Sequence, residues 1–285
     1  MYDIAIIGGG PAGVSAALNA KILNKSFVWL GSRATSKKVE RAELIKNYPG
    51  LPDITGAQLS WALSNHAQSM GVYIEECVVT GVYETNGFFT LLAGEKTYEA
   101  KTVVLCLGVE AAKPLEGEEE FLGRGVSYCA TCDGGLYRGK RIAVVCTDKA
   151  FEHEIEYLCS LAAHCTVFPM YRNYDIKAAN AEIILKAPLK YAGDVKVREV
   201  VYKGGSVSAD GVFILKSAVS PSTLVHGLKT DGGHICVDRA CSANISGIFA
   251  AGDCTGRPYQ YVKAVGEGNV AVHSAVEYLA ASEKK

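Results

Sequence analysis

The apolar positions of the chain fall into short unbroken runs, separated by glycine-rich turns and by stretches with helical spacing, as expected of parallel strands covered by helices. Residues 2–7 predict a buried strand, residues 14–23 an alanine-rich helix and residues 26–30 a second strand. Residues 47–50 read as a turn, and Thr55-Gly56-Ala57-Gln58-Leu59 opens an amphipathic helix running to about Met70. Residues 73–79, 82–83 and 88–92 have the β-rich composition of a small sheet, and residues 102–108 predict a buried strand that returns to the first layer. A second strand–helix–strand pattern covers 141–145, 150–163 and 165–168. Residues 181–217 are short apolar runs broken by Gly204-Gly205 and Asp210-Gly211, which predicts hairpins. A buried strand over 247–253 and a helix over 260–279 close the chain.

With 285 residues, the chain suits two domains better than one core. Lys113-Pro114-Leu115-Glu116-Gly117 and residues 217–221 interrupt the pattern as hinges would, which gives domains of 1–112 with 221–285, and 113–220. The 49% hydrophobic content and 30 glycines describe an α/β protein with many tight turns. A net charge of −1 gives no reason to expect nucleic acid or an anionic membrane as partner. The N-terminus lacks the basic start of a signal peptide, and no apolar run reaches the roughly 18 residues that cross a bilayer, so a cytoplasmic protein is expected. Ten cysteines there should mostly be free thiols; Cys77, Cys106, Cys146, Cys159, Cys165, Cys236 and Cys241 lack metal-ligand spacing, and most of them read as packing residues.

Gly8-Gly9-Gly10-Pro11-Ala12-Gly13 follows the first strand and opens the first helix. Gly8 permits the tight turn, Gly10 lets a pyrophosphate approach the backbone, and Gly13 lets helix and strand pack closely, so this is a dinucleotide site. The second strand ends in Gly31-Ser32-Arg33 rather than in an acid, leaving the ribose contact to Ser32 or to the backbone. Asp253, at a strand end, can accept hydrogen bonds from ribityl hydroxyls. The second strand–helix turn lacks glycines: Cys146-Thr147-Asp148-Lys149-Ala150-Phe151 places bulk and a carboxylate where a pyrophosphate would sit, and Arg172 is a single arginine where a 2′-phosphate needs a cluster. Unusual contacts from Lys149 and Arg172 to a nicotinamide nucleotide are the alternative. Cys129-Ala130-Thr131-Cys132-Asp133-Gly134 can close a small disulfide ring beside an acid; half a zinc site or two unrelated thiols are the other readings.

Taken in order with Asn47-Tyr48-Pro49-Gly50, Gly123-Arg124-Gly125-Val126-Ser127 and residues 247–253, these motifs make nearly the whole chain similar to low-molecular-weight flavoprotein thioredoxin reductases. The resemblance implies an FAD domain of Rossmann type carrying an inserted, degenerate NADPH-like domain, and a homodimer. It implies that Cys132 faces the flavin, that Cys129 attacks the substrate disulfide of thioredoxin and that Asp133 is the acid/base beside them. Non-covalent FAD would be bound by Gly8, Gly10, Pro11, Ala12, Gly13, Ser32, Asn47, Gly108, Gly252, Asp253, Gln260, Tyr261 and Val262. Ordinary members carry a second glycine-rich turn and an arginine cluster for NADPH. Without them, the chain resembles the ferredoxin-dependent flavin thioredoxin reductases, which take electrons from reduced ferredoxin. Lys37, Lys38, Arg41 and Lys46 form a basic cluster that would suit an acidic ferredoxin. An NADPH-dependent enzyme, a two-flavin enzyme and a non-catalytic flavin redox sensor are the alternatives.

Overall fold

The computed structural model describes residues 1–31, 37–40, 42–108, 114–128, 130–216 and 220–282, without the side chains of Lys37, Lys38 and Cys132. The first part runs through Tyr2–Ile7 (β1), Pro11–Ile22 (α1), Phe27–Gly31 (β2), Lys37–Glu40 (α2), Gly56–Ser69 (α3), Glu75–Glu76 (β3), Val79–Thr85 (β4), Phe88–Ala93 (β5) and Lys96–Leu105 (β6). The middle contains Val126–Ser127 (β7), Ala130–Asp133 (α4), Arg141–Cys146 (β8), Glu152–Leu161 (α5), His164–Pro169 (β9), Ala181–Ile183 (β10), Pro188–Gly193 (β11), Val197–Tyr202 (β12), Gly205–Ser208 (β13) and Gly211–Leu215 (β14). Pro221–Leu224 (α6), Thr230–Asp231 (β15), His234–Ile235 (β16), Ile248–Ala250 (β17) and Tyr261–Ser282 (α7) complete it. The chain divides into two compact units, Met1–Glu110 with Ser220–Lys285, and Ala111–Val219.

The first unit is built on a seven-stranded sheet in the order β3-β2-β1-β6-β5-β4, with β17 also on β6. β1 lies between β2 and β6, parallel to both, and its Ile4-Ala5-Ile6-Ile7 run is buried. β6 does two jobs: its first half pairs antiparallel with β5, and its second half pairs parallel with β1 and β17. The β-rich segment is therefore one edge of the main sheet rather than a separate small sheet, and within residues 73–79 Glu75–Glu76 pairs at the opposite edge beside β2 while Val79 already belongs to β4. Small residues let α1 and α7 touch backbone to backbone: a Cβ on Gly268 would stand 2.3 Å from the Ala12 carbonyl oxygen. Ser15 Oγ donates to the Val265 carbonyl at 2.7 Å across the same seam. Thr55 and Gln58 cap α3 reciprocally, which fixes its start.

The second unit carries an all-parallel sheet in the order β10-β9-β8-β14-β7 and a three-stranded sheet β11-β12-β13. Only part of 181–217 forms hairpins. β10 joins β9 in parallel, and the buried Gly-Val-Phe-Ile-Leu run of β14 is a central strand between β8 and β7, where period-two alternation is lost because both faces are covered. The helix expected over 150–163 begins as a single 3-10 turn, Lys149–Phe151, and ends at Leu161.

The ends of β1 and β2 are locked by Asp3. Its Oδ2 accepts from Ser26 N and Oγ at 3.1 and 2.7 Å, and its Oδ1 from Lys101 Nζ at 2.9 Å. Partial burial raises the Asp3 carboxyl, but the bonds from Lys101 and Ser26 outweigh it and hold the group at about 2, below its ordinary 3.8. A depressed folded-state value stabilises the fold above the unfolded value, and this contribution is lost as the pH falls towards about 2. Asp3→Asn should therefore cost about 1 kcal/mol in urea unfolding at pH 7, solvent screening included, and much less near pH 2. A gap that does not change with pH would contradict the lock.

Candidate active site

The turn from β1 into α1 shows why three glycines stand where they do. A Cβ on Gly8 would lie 2.1 Å from the Cys106 carbonyl oxygen, and one on Gly13 would lie 1.9 Å from the Gly8 carbonyl oxygen, so the fold itself demands both. Gly8 also has φ 122°, a conformation that L side chains rarely adopt. Gly10 differs: nothing lies within 4 Å of where its Cβ would be. Open space over a bare backbone at a helix N-terminus, with no side-chain cap and no acid in the first turn, fits a pyrophosphate. Trp29 Nε1 donates to the Gly8 carbonyl at 2.8 Å and fixes the turn from beneath.

The far end of the chain folds back onto this turn. Gly252 has φ 91°, and a Cβ there would stand 3.1 Å from that of Ala12, which brings Asp253 beside the start of α1. Two residues that the sequence reading missed hold this loop. Lys263 Nζ donates to the carbonyls of Gly252 and Gly256 at 2.8 Å each, and Glu267 Oε2 accepts from Gly252 N at 2.8 Å and Thr255 Oγ1 at 2.9 Å. The pair itself spans 3.1 Å at i,i+4 on α7, a spacing that was visible in the sequence. Asn47 Nδ2 donates to Gln260 Oε1 at 2.7 Å, joining two predicted residues 213 positions apart. Tyr261 opens α7 close enough to Asp253 that burial first, and then that carboxylate, raise its phenol. Gly108 follows β6 with φ 69°, and Val262 is exposed in the first turn of α7. Ser32 lies outside the described residues.

The cysteine segment belongs to the other unit. Ala130 is fully buried in that unit's core and seats α4, on which Thr131, Cys132 and Asp133 follow. Ser127 Oγ, on β7, donates to Asp133 Oδ2 at 2.6 Å, so the acid predicted beside the pair is held by a hydroxyl whose role the sequence does not reveal. Cys129 lies outside the described residues, as does the side chain of Cys132. Of the other cysteines, Cys106, Cys146, Cys159, Cys165, Cys241 and Cys254 are buried, Cys77 is half-buried and Cys236 is exposed. Burial pushes the thiols of Cys146, Cys241 and Cys254 up to about 11, which makes them poor nucleophiles. No described group of three or more His, Cys, Asp or Glu residues could hold a metal ion.

The second strand–helix turn is filled by the protein's own groups. Asp148 Oδ1 accepts from Ala150 N at 3.0 Å, so the carboxylate occupies the anion position. Glu152 and Glu154 stand in the first turn of α5, and Glu152 Oε1 accepts from Tyr171 Oη and Asp175 N at 2.9 Å each. Lys149 Nζ donates to the Asn173 carbonyl at 3.0 Å, and Arg172 is exposed. Of the basic cluster expected to suit ferredoxin, Lys46 is exposed; Arg41 and the side chains of Lys37 and Lys38 lie outside the described residues. No described helix is long and apolar enough to cross a membrane.

The chain is similar to known proteins over nearly its whole length. The pyridine nucleotide-disulphide oxidoreductase family matches residues 2–146 and 175–268. Two crystal structures of a ferredoxin-flavin thioredoxin reductase from Clostridium acetobutylicum share 46% and 44% of residues with the chain, with TM-scores of 0.87 and 0.91. The first alignment covers 98% of both chains, the second 100% of this chain and 99% of the other. The thioredoxin reductase of Listeria monocytogenes is 31% identical over 98% of this chain and 94% of its own. The chain belongs to the pyridine nucleotide-disulphide oxidoreductase family and is a disulfide oxidoreductase of thioredoxin-reductase type.

Proposed function

We propose that the protein reduces the disulfide of thioredoxin through Cys129 and Cys132, with FAD as cofactor and reduced ferredoxin rather than NADPH as electron donor. One observation carries the choice of donor: the first helix N-terminus is open over Gly10, while the 3-10 turn leading into the second is capped by Asp148, with Glu152 and Glu154 in the first turn of α5. A phosphate there would meet carboxylates in place of free N–H groups. The similarity to a ferredoxin-flavin thioredoxin reductase supports the same reading. Gly8 to Gly13 and the start of α1 would hold the pyrophosphate. Gly108, Gly252 and Asp253 would take the ribityl side, and Asn47, Gln260, Tyr261 and Val262 the ring edge. When bound, FAD supplies a group that accepts electrons singly and passes a pair to a disulfide.

The thiol chemistry follows from the two cysteines and the acid. The Cys129 thiolate attacks one sulfur of the substrate disulfide, forming a mixed disulfide and releasing a substrate thiolate that takes up a proton. The Cys132 thiolate then attacks Cys129 and releases the second substrate thiol, leaving the Cys129–Cys132 disulfide and a substrate reduced by two electrons. Asp133, steadied by Ser127, moves the proton. The active form is a homodimer in the cytoplasm, where a reducing medium suits so many free thiols.

Anaerobic turnover with thioredoxin tests the donor: reduced ferredoxin should sustain it and NADPH should not, and the reverse would overturn the proposal. The roles of the two thiols are tested by trapping. Cys132→Ser should form a stable mixed disulfide with thioredoxin and Cys129→Ser should not; the opposite pattern would exchange the two roles. Gly10→Leu should melt within a few degrees of the flavin-free parent because nothing of the protein lies near its Cβ, yet purify without flavin. Normal flavin content in that variant would contradict the cradle.

A further inference from the structure

The loop from Gly252 to Gly256 is a short 3-10 turn, Asp253–Thr255, between two glycines with φ 91° and 118°. Glycine at both ends leaves such a turn free to take other shapes unless something outside it fixes one. Here the fixing groups lie on α7, and they are poorly placed for α7 itself. Lys263 puts a cation in the first turn of the helix, against its dipole, and a lysine four residues before a glutamate is the weaker order of an i,i+4 pair. Both side chains turn to the loop instead. Lys263 Nζ donates to the Gly252 and Gly256 carbonyls at 2.8 Å each and to Thr255 Oγ1 at 2.9 Å. Glu267 Oε2 accepts from Gly252 N at 2.8 Å and from Thr255 Oγ1 at 2.9 Å. Their side chains are 17% and 27% exposed, so water competes little for these bonds.

Hydrogen bonds to charged groups are among the stronger ones in a protein, and these are made largely to the main chain of the loop. A backbone fixed before its ligand arrives binds that ligand more tightly, because the ordering cost has already been met. We propose that Lys263 and Glu267 are positioning residues for FAD: they preform the Gly252–Gly256 loop and so hold Asp253 beside the start of α1, a role that rests on Gly252 and Asp253 forming the ribityl side of the FAD site. Neither side chain has to touch the cofactor, since both act through the loop. The clamp therefore bears on the flavin half of the ligand and not on the adenosine half, whose pyrophosphate the Gly10 turn would hold.

That division makes the clamp testable apart from general stability. Flavin is stripped from the holoprotein, and FAD is titrated back with the quenching of its fluorescence as the signal. Lys263→Met and Glu267→Ala should each raise the Kd for FAD by about tenfold, the size of losing a hydrogen bond to a charged group. Glu267→Gln keeps an acceptor oxygen for Gly252 N and should stay within about threefold of the parent. ADP carries the pyrophosphate and the adenosine but neither ribityl chain nor ring, and should compete with FAD's adenosine half equally well in all four proteins. If Lys263→Met does not fold, the two Glu267 variants carry the test. Parent-like affinity for FAD in Lys263→Met and Glu267→Ala, or a Glu267→Gln as weak as Glu267→Ala, would overturn the clamp. Equal weakening of FAD and ADP would also overturn it and leave a structural ion pair. A parent that purifies without flavin and binds no added FAD would overturn the FAD site itself, and the clamp with it.

Discussion

The N–H groups in the first turn of a helix have no partner within that helix, and what answers them decides what each half of this protein can hold. At α1 the answer is left to something outside the chain, since no side chain caps the turn and Gly10 faces open space. Before α5 the chain places a 3-10 turn whose Ala150 N–H is answered by Asp148, and Glu152 and Glu154 add negative charge to the first turn of α5. The two units share a strand–turn–helix plan, and the proposed function rests on the difference between their turns: the first is open over Gly10, and the second carries Asp148.

Much of this was legible in the chain. The glycines of the first turn carry the signal because two of them are demanded by backbone contacts within 2.1 Å and the third by none. The missing glycines of the second turn were equally plain, and the carboxylate at Asp148 sits where the sequence pattern placed it. Topology was harder to read. β14 looks like half of a hairpin because glycine precedes it, yet it pairs in parallel with β8 and β7, and only long-range burial distinguishes the two. β6 changes partners along its length, which no local pattern encodes.

The residues that sequence reasoning missed are those that act on other residues. Ser127 holds Asp133, and Lys263 with Glu267 holds the loop of Gly252 and Asp253. Glu118 gathers Leu115, Tyr128 and Lys216, the last of them 98 positions away. An i,i+4 spacing betrayed the second of these groups, but the others depend on strand pairing and could not be seen before it. The carboxylate of Asp133 is oriented by a hydroxyl, and the thiols of Cys146, Cys241 and Cys254 are silenced by burial.

The central claim is that the second helix N-terminus has given up phosphate. Isothermal titration of NADPH, and of its 2′-phosphoadenosine fragment, into the flavin-loaded protein tests it most directly. No saturable heat should appear at ligand concentrations up to about 1 mM, the upper range of ordinary substrate sites. Saturable one-to-one binding, abolished by altering Lys149 or Arg172, would contradict it.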